Sequence, residues 1–143
     1  MRVSAKAEYA CIAMVELASS YGDPQPVRLK TIADAHRISQ RFLVQILLQL
    51  KGIGLVASVR GALGGYQLAR RPEKISLADI IHAIDPPPSP RPSPEASATS
   101  PIVQAVRAVW RDLQAEEQKL LEQTTLAELL RRTQQTSVSS YQI

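Results

Sequence analysis

Ser39-Gln40-Arg41-Phe42-Leu43-Val44-Gln45-Ile46-Leu47-Leu48-Gln49-Leu50-Lys51-Gly52-Ile53-Gly54, running directly into LVASVRGALGGYQLARR (residues 55–71), is the stretch that decides the fold. On a helix, Phe42, Ile46 and Leu50 share one face and Leu43 and Leu47 widen it, while Gln40, Arg41, Gln45 and Gln49 stay largely outside. Gly52 and Gly54 end the helical pattern and permit a close turn. The β-prone runs LVASV and YQLA then read as two short strands joined by a glycine-rich loop. A helix with a hydrogen-bonding side, abutting a basic two-stranded ribbon, has the shape to enter a DNA groove and grip beside it.

Upstream, Ser4 is placed to cap a first helix to about Ser19, with Ala7, Ala10, Cys11, Met14, Val15 and Ala18 as its packing face. Gly22, Pro24 and Pro26 end it. A short helix follows in TIADAHRIS, with Leu29, Ile32 and Ala33 inward, yielding near His36 or Arg37 before Ser39 starts the next. That spacing is a helix-turn-helix, in which the first helix supports the second. Lys30 and Thr31 stand where phosphate would approach. On the second helix Gln40, Arg41, Val44 and Gln45 are the candidates for groove contact. Arginine offers paired donors to guanine or phosphate, glutamine recognises adenine, and Val44 offers an apolar surface to a thymine methyl. Arg60 ends the first strand, and Gly61, Gly64 and Gly65 before Tyr66 allow a tight wing that carries it to the minor groove or phosphate. The glycines lack the GKS or GKT ending of a phosphate-binding loop.

Downstream, Ser76 and Asp79 mark the start of a helix over LADIIHAI, docked through Leu77, Ile80, Ile81 and Ile84. DPPPSPRPSPEASATSP then reads as an extended connector, or as part of a small-molecule or protein interface. Pro101 opens a long helix reaching about Glu122. Ile102, Val106, Val109, Leu113 and Leu120 follow a three-four repeat beside Trp110, interrupted at Glu116 and Glu117, which predicts a symmetric dimer seam. Thr124 or Thr125 caps a final short LAELLRR helix whose Leu126, Leu129 and Leu130 pack back, and a frayed tail is expected from Gln134 to Ile143.

A chain of 143 residues suffices for one modest domain with an added dimerising element. Through His82 basic residues outnumber acidic ones by 11 to 6, whereas beyond it the counts are 6 and 7, so polyanion binding belongs to the first part. No apolar run has membrane length, and RVSAKAEYA is a poor secretory signal, so a cytoplasmic protein without membrane association is expected. The single cysteine, Cys11, cannot form an internal disulfide or a multi-cysteine metal cage. No metal ligand set, cofactor or catalytic constellation is expected: Asp34 near His36 is no acid–base pair, and no nucleophile elbow is present.

MRVSAKAEYA, LKTIADAHRIS, SQRFLVQILLQLKGIGLV, SVRGALGGYQLAR and ISLADIIHAI together resemble the winged-helix transcription regulators that include the iron–sulfur cluster regulator and the nitric-oxide-sensitive repressor. The resemblance is strong over about the first 84 residues and weaker over the long helix and TLAELL. It implies a mainly α fold with a small β-wing: a winged helix-turn-helix at 1–84, a linker or effector-region loop at 85–100, and a dimerisation helix, packing helix and tail at 101–143. It also implies that Ser39, Gln40, Arg41 and Gln45 lie in the reading-helix region and Arg60 in the wing. Val44 stands where the family pattern commonly has an acidic residue, which alters base preference. The pattern's three cysteines between wing and long helix are missing from Asp85 to Pro101, and Glu8, which matches a carboxylate position in helix one, cannot replace them. The expectation is a homodimeric regulator that binds double-stranded DNA at a near-palindromic operator without a conventional iron–sulfur cluster. Its effector, small molecule or protein, is unidentified. The alternative is a protein-interaction module that keeps the fold without reading DNA.

Overall fold

The computed structural model describes residues 3–62, 64–86 and 100–141, with side-chain surroundings through Thr136. Arg2 and most of the proline- and serine-rich connector, residues 87–99, lie outside the described residues. The elements run α1 (Ala5–Ser19), α2 (Leu29–His36), α3 (Gln40–Gly52), β1 (Val56–Val59), β2 (Gly65–Leu68), a 3-10 turn (Pro72–Lys74), α4 (Leu77–Ile84), α5 (Pro101–Gln123) and α6 (Leu126–Tyr141).

The Ser4 hydroxyl caps α1, accepting the Ala7 N–H at 3.0 Å. It also donates to the Asp85 carboxylate, which ties the start of α1 to the end of α4. Ala7, Ala10, Ala13, Met14, Leu17 and Ala18 are buried, whereas Cys11 and Val15 are only half-buried. The packing face is thus turned toward Ala13 and Leu17. The reason is tertiary: α3, α4, α6 and β2 all contact α1, so more than one stripe is covered.

The turn between α2 and α3 passes through Arg37 at φ 55°, a left-handed conformation that an L-residue adopts at a cost of roughly 1 kcal/mol. Beyond it the Ile38 N–H donates to the Ala33 carbonyl at 3.0 Å, and Ile38 itself is buried. Ser39 caps α3 by accepting the Phe42 N–H at 3.4 Å. Leu43, Ile46, Leu47 and Leu50 are fully buried, while Phe42 sits at the core's edge, its ring 5.8 Å from that of Tyr9 and nearly perpendicular to it. Edge-on packing of this kind suits the quadrupoles of the two rings.

β1 and β2 form an antiparallel hairpin in the register Val56↔Leu68, Ala57↔Gln67, Ser58↔Tyr66 and Val59↔Gly65. At α4 the sequence-predicted cap is a complete capping box: Ser76 accepts the Asp79 N–H at 3.1 Å and the Asp79 carboxylate accepts the Ser76 N–H at 2.9 Å. The same corner receives the end of the chain. The Leu77 N–H donates to the Thr124 carbonyl at 2.8 Å and the Leu126 N–H to the Ile75 carbonyl at 2.9 Å. Leu126 is consequently fully buried in the same core as α1, α3 and α4.

Thr125 is the side chain that caps α6, accepting the Glu128 N–H at 3.2 Å. Thr124 instead donates its hydroxyl back to the Leu120 carbonyl at 2.7 Å and closes α5. α6 is longer than the sequence reading has it: the backbone stays helical to Tyr141, where periodicity predicts a frayed tail from Gln134. Glu128 accepts from Arg131 at 2.5 Å and from Arg132 at 3.0 Å, and these guanidinium bonds hold its carboxyl down to about 2. α5 has no buried residue along its whole length, although α4 contacts it.

Candidate nucleic-acid interface

With Leu43, Ile46, Leu47 and Leu50 turned inward, helical geometry sends Gln40, Arg41, Gln45 and Gln49 outward, and all four are exposed. Val44 is half-buried at the border of this face. Ser39 is exposed at its entry. Lys30 and Thr31 are exposed on the first turn of α2, where Lys30 stands 3.8 Å from Asp34 in a solvated i,i+4 pair. Such a pair contributes little and leaves the ammonium available to phosphate.

The wing is anchored at both ends. Near its base, Lys51 in the last turn of α3 donates to the Ser58 hydroxyl of β1 at 2.7 Å. Its other strand is stitched to the segment before α2 by Val27 N–H to Tyr66 carbonyl at 2.9 Å and Tyr66 N–H to Val27 carbonyl at 2.8 Å. Arg28 then reaches across to donate to the Ala62 carbonyl at the loop, 3.0 Å away. Arg60 is exposed between β1 and this loop. Sequence reading does not identify Arg28 as a wing support. Its partner lies 34 residues away, and no periodicity signals such a bond.

The glycines of the wing have separate jobs. Gly61 has φ 109°, which favours glycine. At Gly64 a Cβ would overlap the Val59 carbonyl oxygen, and at Gly65 it would overlap the carbonyl oxygen of Val27 and lie 2.7 Å from its carbon. Both glycines therefore permit backbone-to-backbone contact, which shapes the wing. Gly65→Ala forces β2 away from Val27, weakening two hydrogen bonds worth roughly 1 kcal/mol each. The expected result is a stability loss of about 2 kcal/mol and roughly tenfold weaker DNA binding, read by denaturant unfolding and fluorescence anisotropy. Gly52→Ala is the control, since nothing lies within 4 Å of its Cβ position.

On the other side of α1 an open groove of about 410 Å³ runs against α6, lined by Cys11, Ile12, Val15, Leu129 and Leu130. At its rim His36 Nε2 donates to Glu16 Oε1 at 2.8 Å. Burial, with Glu8 adding to it, pushes the Cys11 thiol up to about 11. The thiol is therefore protonated at neutral pH. Its alkylation by iodoacetamide is expected to be slow at pH 7 and to rise nearly tenfold per pH unit toward 11, as followed by mass spectrometry. A rate at pH 7 matching free cysteine would show a thiolate stabilised by its surroundings.

On α5, Ile102, Val106, Val109, Trp110, Leu113 and Leu120 are 46 to 76% exposed. Successive offsets of four, three, four and seven residues keep Ile102, Val106, Val109, Leu113 and Leu120 within one stripe, with Trp110 at its flank. The half-buried Val103 and Leu121 lie on a different side of the helix.

A polar outward helix seated on a supporting helix, with an anchored two-stranded wing beside it, defines a winged helix-turn-helix DNA-binding protein. The chain belongs to the Rrf2 family: the family model, described as an iron-dependent transcriptional regulator, matches residues 3–132. It is 35% identical over 129 residues to the HTH-type transcriptional regulator CymR of Bacillus subtilis (strain 168), covering 90% of this chain and 89% of that relative. The solved structure of B. subtilis CymR, the global cysteine regulator, superposes with a TM-score of 0.82, covering 92% of this chain and 98% of that one. That of T. potens IscR does so with a TM-score of 0.75 at 34% identity, covering 93% and 88%. The protein is a transcriptional regulator of this family.

The family's description names iron. Among the described residues no group of three or more His, Cys, Asp or Glu side chains is placed to hold a metal ion. Cys11 is the single thiol of the chain, and one cysteine cannot supply the several thiolates that hold an iron–sulfur cluster. These residues do not fit a cysteine-held iron centre. Among the described residues no helix is long and apolar enough to cross a membrane.

Proposed function

We propose that the protein acts as a homodimer on a near-palindromic operator, regulating transcription in the cytoplasm without a conventional iron–sulfur cluster. Each protomer places α3 in a major groove, where Gln40, Arg41 and Gln45 meet base edges and Ser39, Lys30 and Thr31 meet phosphate. The wing, shaped by Gly61, Gly64, Gly65 and Tyr66, brings Arg60 to the adjoining minor groove or backbone. Residues 1–84 form the reading head, 85–100 the connector or effector region, and 101–143 the dimerising part, with Ile102, Val106, Val109, Trp110, Leu113 and Leu120 along its seam. The observation that carries the reading is the exposed polar face of α3 beside a wing hydrogen-bonded at both ends. An effector, small molecule or protein, would act by changing how the two heads are spaced.

The wing assignment is tested with Arg60→Ala in a salt titration of operator binding. Deleting one phosphate-binding guanidinium from each protomer should weaken binding by about tenfold and reduce the salt slope by about 1 for each phosphate no longer neutralised. Unchanged affinity and slope would remove Arg60 from the interface.

A further inference from the structure

The outward face of α3 carries an apolar pair as well as its polar groups. Leu48 is 57% exposed, the one large apolar side chain of this helix with more than half of its surface open to solvent. Measured by helical angle it lies between Arg41 and Val44 on the outer face, opposite Leu43, Ile46 and Leu50. Val44, one turn earlier, is half-buried, and neither Val44 nor Leu48 packs against the core cluster. Arg41 lies on the same face, and Lys51 and Arg60 follow at the helix end and the wing, so the pair sits within a basic surface suited to a polyanion. A leucine exposed there gains nothing in the free protomer and cannot hydrogen-bond to a base. On the base edges of the major groove, the apolar group available to such a side chain is the C5-methyl of thymine.

We propose that Val44 and Leu48 form a strip that reads thymine methyls, so that each half-site is selected partly by methyl contact. This rests on the assignment of α3 as the reading helix. Residues four apart are separated by about 6 Å along the axis, or roughly two base-pair steps, so the strip reaches methyls at neighbouring or next-neighbouring pairs. Leu48 is thereby a specificity-determining residue that hydrogen-bonding criteria overlook.

The test uses the full-length protein and a selected operator synthesised with thymine or with deoxyuridine at each thymine in turn, a change that removes only the methyl. Deoxyuridine at a contacted position should weaken binding about three- to fivefold, the value of one buried methyl. Leu48→Asn removes the contact from both half-sites, so it should lower affinity for the thymine operator by about ten- to twenty-fivefold and erase the thymine–uracil difference at its position, while Leu48→Met retains it. Leu48 is exposed, so melting temperatures should stay within a degree or two of the parent. Equal affinity for thymine and uracil operators at every position overturns the proposal while leaving DNA reading by α3 intact. Failure to select any operator overturns both. A Leu48→Asn variant that binds DNA normally but loses a protein partner would assign the strip to that partner and contradict methyl reading.

Discussion

Alanine at both Arg41 and Gln45 lowers affinity for the selected operator by about a thousandfold and brings it close to that for unrelated DNA. Each side chain projects from the exposed face of α3, so its removal leaves Leu43, Ile46, Leu47 and Leu50 buried as before. A bidentate base contact is worth about 1–3 kcal/mol, and a dimer makes every such contact twice. Two residues in two half-sites therefore account for at least about 4 kcal/mol, which is about a thousandfold. Non-specific binding should survive, because Lys30 and Arg60, which the proposed reading sets against phosphate, remain. Competition against the operator and against random duplex, at one fixed salt concentration, separates the two terms. Parallel weakening on both DNAs would reassign Arg41 and Gln45 to the backbone.

The second large effect is expected at the seam. Val109→Asp with Leu113→Asp would place four carboxylates along the proposed α5 interface of the dimer. Burying an unpaired charge costs several kcal/mol, so the dimer dissociation constant should rise by at least about a thousandfold. Both residues are half exposed in the single protomer, so its fold should be unaffected and far-ultraviolet circular dichroism unchanged. Operator affinity should then drop by about a hundredfold or more, because the second head no longer arrives at the millimolar effective concentration that linkage supplies. Sedimentation equilibrium reads the assembly and anisotropy reads the binding. A monomer that keeps full operator affinity would show that one head suffices.

Much of this arrangement is legible in the residues. Ser4, Ser39 and Ser76 cap helices where a hydroxyl precedes an apolar run, because capping is local chemistry. The inner face of α3 and the glycine-shaped wing follow from periodicity and turn chemistry. What sequence leaves out is set by neighbours distant in the chain. Ala13 and Leu17 are buried because more than one element covers α1, and no single-stripe reading contains them. Arg28 supports the wing only because the Val27–Tyr66 bridge brings two remote segments together. Leu48 is one apolar residue among several in ILLQL until the core is fixed around Ile46, Leu47 and Leu50, which leaves it outside. Continuation of α6 to Tyr141 is hidden for a different reason, since Gln134 to Tyr141 is mostly polar and has weak apolar periodicity.

The measurement that bears most directly on the account is selection of genomic DNA fragments by the purified protein, with sequencing of those retained at physiological salt. A homodimer with one α3 per half-site predicts a recurrent motif of two inverted half-sites, their centres one helical turn or a multiple of it apart. Retention without a shared motif, vanishing as salt rises, would reduce the interaction to charge attraction and contradict operator reading by α3.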